Sequence, residues 1–258
     1  MKITIIGGGN MGGAIARGLI NSGYASATDV VVADQSDVVL NAFAALGCPT
    51  TKDNGSAVAN ADVVIMAVKP WIVPIVCTSI KDTLKPQTPL ACVAAGVEFK
   101  DIIEFLGRDK SLVRVMPNTA AEIRESVTFL SMHNTTDAEC ELMKEIFGQI
   151  GMVFVVDESM MGAATAVGGC GTAYVLRYIR AASEAAVALG FRADEATRIV
   201  AQTVKGAAQL LLDNNSHPEV EIDKVTTPGG WTIKGLNAME HAGFTSAVIK
   251  GIMRPMEK

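Results

Sequence analysis

Two glycine-rich stretches stand far apart in this chain of 258 residues, and the types and spacing of their neighbours suit two different anions. The first is Gly7-Gly8-Gly9-Asn10-Met11-Gly12, which follows the strand-like run Lys2–Ile6 and opens a helical pattern reaching about Ile20. A Gly-x-Gly-x-x-Gly between a strand and a helix suits a dinucleotide. Gly7 permits the tight turn, Gly9 lets the backbone approach a pyrophosphate, and Gly12 lets the helix close on the strand. Asn10 and Met11 begin a helix whose free N–H groups carry partial positive charge toward the phosphates. A second β-branched run, Val30–Ala33, ends at Asp34, where a carboxylate bonds both ribose hydroxyls of NAD and repels the 2′-phosphate of NADP. No Lys or Arg follows in Gln35-Ser36-Asp37 to hold that phosphate, so the sequence leans toward NADH.

Three further strand ends point to the same edge: Ala67-Val68-Lys69-Pro70, Ala94-Ala95-Gly96 and Met116-Pro117-Asn118-Thr119. Ligands of open α/β sheets sit beyond the carboxyl ends of the strands, and small or polar residues at successive ends make a cleft long enough for a whole dinucleotide. The expected cofactor-binding set is Gly7, Gly9, Asn10, Met11, Gly12, Asp34, Gln35, Asn54, Ala67, Val68, Lys69, Pro70, Ala95, Gly96 and Asn118. The second glycine stretch is Val225-Thr226-Thr227-Pro228-Gly229-Gly230-Trp231-Thr232-Ile233. Hydroxyls at a cap and Pro in a first turn predict a helix start, with Ile233, Leu236 and Met239 continuing the helix to Gly243. Bare N–H groups at the two glycines make a cradle for a carboxylate.

Both stretches need elements to position them. β-branched runs at 2–6, 30–33, 62–66, 90–94, 112–116, 127–131 and 152–156 alternate with helical patterns near 10–22, 37–46, 70–80, 99–107 and 136–149. That alternation predicts a parallel α/β sheet. Asp137 is the expected N-cap of the last of these helices. From about Asp157 the β pattern stops. Arg192–Leu212 places apolar or small residues at 196, 199, 200, 203, 204, 207 and 211, the spacing of a buried helical face. Tyr174–Leu189 is rich in Ala and suits close helix packing. Charge divides at the same place, with 12 basic and 17 acidic groups in 1–157 against 10 of each in 158–258.

Composition excludes other classes. A net charge of −5 and 5% aromatic residues leave neither a basic surface nor a stacking platform for nucleic acid. Mean hydropathy is high at +0.31, yet the longest charge-free stretch, Ser159–Leu176, contains four glycines and reads as a packed helix start rather than a membrane span. The apolar excess predicts an oligomer. Five cysteines without CxxC spacing and three scattered histidines predict neither disulfides nor a metal site. With no leader pattern at the start, a cytoplasmic location is expected.

Taken together the motifs resemble pyrroline-5-carboxylate reductases along essentially the whole chain. The most specific piece is KVTTPGGWTIKGLNAMEHAGF at 224–244, joined in order by IGGGNMGGAI, AVKP at 67–70, MPNT at 116–119 and ATAVGGCGTAY at 164–174. The chain departs from the family's usual pattern at Thr227 (Ser), at Trp231 (a small residue or Thr), at Cys170 and Thr172 within a GSGPAY segment, and at Asp34. The resemblance implies an α/β fold with an N-terminal Rossmann-type dinucleotide-binding domain at 1–157 and a C-terminal all-helical dimerisation domain at 158–258. It implies hydride transfer from NADH or NADPH to a cyclic imino acid, giving L-proline. Thr227, Gly229, Gly230, Trp231 and Thr232 would bind the substrate, with Thr232 the catalytic group near the ring nitrogen. It also implies an intertwined dimer, dimers assembling into a ring as large as a decamer, and an active site shared between chains. The competing expectations are a related imine reductase or a β-hydroxyacid dehydrogenase, for which Lys205 is the interior lysine to watch, and a nonenzymatic dinucleotide-sensing regulator.

Overall fold

The structure is a computed structural model and describes residues 1–257. Its chain divides into two compact units, Met1–Cys170 and Gly171–Lys258. In the first, eight strands form one sheet: β1 (Ile3–Ile6), β2 (Val30–Ala33), β3 (Thr50–Thr51), β4 (Val63–Met66), β5 (Leu90–Cys92), β6 (Leu112–Met116), β7 (Ser126–His133) and β8 (Gly151–Val155). Their order is β3-β2-β1-β4-β5-β6-β7-β8. The first six strands thus follow the 3-2-1-4-5-6 order of a doubly wound dinucleotide-binding sheet. Every pair is parallel except β6 with β7. The expected parallel sheet holds but for that pair, where the connection 117–125 is too short for a helical crossover and the chain folds back antiparallel. The expected strands are all present. The two-residue β3 went unseen because it is too short to show a period.

The central strands are buried on both faces, as parallel sheets require. Ile3, Ile5, Val32, Ile65, Val113 and Val115 join one core cluster, with Ile15, Leu19, Ile146 and Phe147 from the covering helices. Ile6, Val64, Met66, Leu90 and Leu112 join the other, with Val76, Ile80, Ile102 and Leu106. The covering helices are α1 (Asn10–Asn21), α2 (Asp37–Ala45), α3 (Asn54–Val58), α4 (Val73–Ile80), α5 (Phe99–Leu106) and α6 (Asp137–Gly148). Asp137 is not the N-cap of α6. Thr136 takes that position in a capping box, its hydroxyl accepting from the Glu139 N–H while Glu139 accepts from the Thr136 N–H at 2.7 Å. A threonine with Glu three residues later satisfies two orphan donors, which Asp137 alone cannot.

After β8 the chain runs through a 3₁₀ turn (Glu158–Met160), α7 (Met161–Ala164) and a π-helical turn (Thr165–Gly169). So the packed start expected from Ser159 is interrupted rather than one helix. Polar contacts hold both of its ends. Glu158 Oε1 accepts from Arg114 Nη1 at 2.8 Å and from the Phe99 N–H at 2.7 Å. The Gly168 carbonyl accepts from Asn118 Nδ2 at 3.2 Å. Arg114 is nearly buried within β6, so its charge depends on that carboxylate. Glu158→Ala should therefore lower stability by about 2–3 kcal/mol, read as a lower urea midpoint, and an unchanged midpoint would contradict this role.

The second unit contains α8 (Gly171–Ala188), α9 (Ala193–Asn214), α10 (Pro218–Lys224), α11 (Trp231–His241) and α12 (Phe244–Met253). Tyr178 meets Phe244 edge-on at 6.4 Å. Of the described residues of this unit only Ser183 and Ala196 are buried. Of the face expected to be buried on α9, Ala196 is covered, while Ile199 and Thr203 are exposed. The helical period is present, but a single chain does not supply what should cover it. Lys205 is exposed too. Among the described residues, no helix is long and apolar enough to cross a membrane.

Candidate functional site

At the carboxyl edge of the sheet the register brings five strand ends level: Ile6 pairs with Ala33 and Met66, Ala33 with Thr51, and Met66 with Cys92. The loop after β1 turns here. Gly7 has φ +93°, and a Cβ on it would lie 2.8 Å from the Ala67 carbonyl oxygen and 2.9 Å from a Val68 methyl. Gly12 lies deeper: a Cβ there would stand 2.0 Å from the Gly7 carbonyl oxygen. Gly9, by contrast, is exposed, and a Cβ on it would meet nothing within 4 Å. Within the protein nothing requires glycine at position 9, so the bare backbone there is available to a ligand. Asn10 is exposed at the start of α1, whereas the Met11 side chain packs against the core.

Asp34 does two jobs for the backbone. Its Oδ2 accepts from the Gly8 N–H and its Oδ1 from the Ser36 N–H, both at 2.8 Å. Half-buried, it ties the glycine loop to the turn after β2, and each oxygen keeps a lone pair for a further donor. Gln35 Nε2 donates to the Lys52 carbonyl at 2.9 Å, and Asn54 Nδ2 to Ser79 Oγ at 3.2 Å. Beyond β4, Ala67 and Val68 are half-buried and Lys69 is exposed before Pro70. Beyond β5, Ala95 and Gly96 are exposed, with Gly96 at φ +77°.

Asn118 stands apart from this set. It is buried, its Oδ1 accepts from the Ala120 N–H at 3.0 Å, and its Nδ2 is committed to Gly168. Sequence reasoning missed three features of this unit: the Asp34–Gly8 bond, the Glu158–Arg114 pair and the π-helical turn. Each links residues by contacts that no local spacing announces. Three of the five free thiols, at Cys48, Cys77 and Cys92, are buried, as expected of small apolar residues. Burial pushes the Cys77 thiol up to about 12 and that of Cys92 up to about 11. No group of three or more His, Cys, Asp or Glu among the described residues could hold a metal ion.

In the second unit, Thr227-Pro228-Gly229-Gly230 forms a tight turn. The Gly230 N–H donates to the Thr227 carbonyl at 3.0 Å, and Gly229 takes φ +70°, the type II pattern with Pro second and Gly third. Pro228 therefore lies in this turn and not in the first turn of the helix. Helix α11 starts at Trp231 with Gly230 as its N-cap and no side-chain cap. A Cβ at Gly230 would lie 2.4 Å from Thr227 Oγ1, so that hydroxyl closes over a bare backbone. Gly229 is open on its outer side. The first N–H groups of α11 have no partner within the helix, and Trp231 and Thr232 are both exposed beside them.

Residues 158–258 match the family model described as pyrroline-5-carboxylate reductase dimerisation, and residues 2–95 the one described as NADP oxidoreductase coenzyme F420-dependent. Residues 158–170 thus belong to the dimerisation match while packing in the first compact unit. The chain is 40% identical to pyrroline-5-carboxylate reductase 1 of Dictyostelium discoideum over 99% of its own length, and spans about half, 49%, of that relative. It is 39% identical to pyrroline-5-carboxylate reductase 2 of the same organism, covering 100% of this chain and 91% of that one. The structure superposes on pyrroline carboxylate reductase of Plasmodium falciparum with NADP bound at a TM-score of 0.88, with 26% identity over 99% of this chain and 95% of the other.

Proposed function

The chain belongs to the pyrroline-5-carboxylate reductase family, and from that premise we propose that it reduces the C=N bond of 1-pyrroline-5-carboxylate to give L-proline. It is an oxidoreductase that joins a dinucleotide-binding sheet to a dimerisation domain. The observation that carries the reading is the pairing of two open glycine backbones in one chain, at Gly9 and at Gly229 ahead of the uncapped α11.

When bound, a reduced nicotinamide dinucleotide supplies a hydride to the imine carbon. Gly7, Gly9, Asn10, Met11 and Gly12 would hold its pyrophosphate through the backbone. Asp34 would take the adenosine ribose, with Gln35 and Asn54 alongside. Ala67, Val68, Lys69, Pro70, Ala95 and Gly96 would line the rest of the edge, and Asn118 would support its far end through Gly168. An imine protonated on nitrogen is electrophilic before the hydride arrives, so the protein's work is chiefly positioning. Thr227, Gly229 and Gly230 would hold the substrate carboxylate, and Trp231 would bound the pocket. The Thr232 hydroxyl would stabilise the ring nitrogen or relay its proton. The amine leaves carrying the hydride on carbon and a proton on nitrogen.

NADH is the proposed preference, because a 2′-phosphate would meet the Asp34 carboxylate. A strong NADPH preference in kcat/KM would contradict it. Self-association follows from the dimerisation domain and from the bare apolar surface of the helical unit, where Leu189, Phe191 and Leu212 are exposed in the single chain. We extend this to dimers gathered into a larger ring. Light scattering should give a mass that is an even multiple of the 27.1 kDa chain, and a monomer would contradict the account. Free thiols throughout fit a reducing cytosol. The activity is tested by oxidation of NADH and NADPH with pyrroline-5-carboxylate against a panel of keto and hydroxy acids. Turnover confined to the cyclic imine supports the reading, and preference for a keto acid would overturn it.

A further inference from the structure

The edge beside Asp34 carries a cation that the order of residues conceals. β3 pairs with β2 in parallel, and the Asp34 N–H donates to the Thr51 carbonyl at 3.2 Å. Lys52 comes next, held by Gln35 Nε2 at its carbonyl. Its Nζ lies 2.8 Å from Asp37 Oδ1. Two carboxylates and one ammonium thus share the turn that follows β2.

A ribose held by Asp34 would present its 2′ position to this turn. A phosphate there brings a charge of about −1.5 to −2. It would meet two carboxylates and an ammonium already paired. Asp37 is also the first residue of α2, so its charge occupies a helix N-terminus that would otherwise favour a phosphate. We propose that Asp37 is a second determinant of cofactor choice: by engaging Lys52 it withholds that cation from a 2′-phosphate. Lys52 is then a latent phosphate-binding residue, and the discrimination made at Asp34 is reinforced from β3.

The inference rests on the reading that the Gly7–Gly12 loop holds a dinucleotide with its ribose at Asp34. It does not depend on which substrate is reduced, and a binding measurement keeps the two apart. Both side chains are at least half exposed, and an exposed pair contributes only about 0–1 kcal/mol, so the variants should fold. Dissociation constants for NADH and NADPH are measured on the full chain by titrating cofactor fluorescence. In Asp37→Asn the affinity for NADPH relative to NADH should rise about tenfold, and the gain should shrink with added salt. In Asp37→Asn/Lys52→Ala most of the gain should be lost, leaving only what removal of the Asp37 charge itself provides. An unchanged ratio in Asp37→Asn, or a gain undiminished by the loss of Lys52, would overturn the proposal. If neither cofactor binds the wild-type chain, the dinucleotide reading falls and takes this proposal with it, whereas normal binding without imine turnover leaves the proposal standing and removes only the substrate assignment.

Discussion

Gly12→Ala is expected to raise the dissociation constant for NADH by at least about a hundredfold. The added methyl would stand 2.0 Å from the Gly7 carbonyl oxygen, a backbone atom that cannot rotate away. The start of α1 must then move off β1, carrying the loop's N–H groups with it. Overpacking of this kind costs about 1–3 kcal/mol, so a lower melting temperature accompanies the loss. Gly9→Ala separates binding from folding. Its methyl meets no protein atom within 4 Å, so stability should hold while NADH affinity falls about tenfold or more through collision with the pyrophosphate. Thermal melts and cofactor titrations on the two variants check the pair. Wild-type affinity in Gly9→Ala would mean that no ligand approaches the loop.

Thr232→Ala is expected to lower kcat with pyrroline-5-carboxylate by about a hundredfold, the low end of what a positioned proton donor contributes. Thr232 is exposed at the start of α11 and belongs to the other compact unit from the glycine loop. NADH affinity and melting temperature should therefore stay near wild type, and Thr232→Ser should recover most of the rate. Unchanged turnover in Thr232→Ala would remove its role at the ring nitrogen.

Most of the sheet was legible because parallel strands buried on both faces show as unbroken β-branched runs, as in Val30–Ala33 and Val63–Met66. The glycine loop was legible for a related reason, since each glycine answers a separate steric demand at a known spacing. What escaped depended on distant contacts or on brevity. β3 has two residues, and the reversal at β7 follows from the length of a loop rather than from any residue in it. Helices α10 and α12 were not foreseen, although His217 and Pro218 open α10 as N-cap and first residue. At Thr227–Gly230 the residue types mark a chain reversal ahead of a helix, but Pro228 suits a type II turn as well as a helix start. Lys52 reaches Asp37 only because β3 lies beside β2, so the residues that follow Asp34 in the chain show no cation. On α9 the spacing marked a face that must be covered, and periodicity does not say whether the same chain or another covers it.

The transferred hydrogen can be followed from cofactor to product. With NADH carrying deuterium at both C4 positions of the dihydronicotinamide, turnover of pyrroline-5-carboxylate should yield L-proline with one deuterium on C5, located by NMR and counted by mass. Proline formed without the label, or no proline formed while the cofactor is bound, would contradict the account.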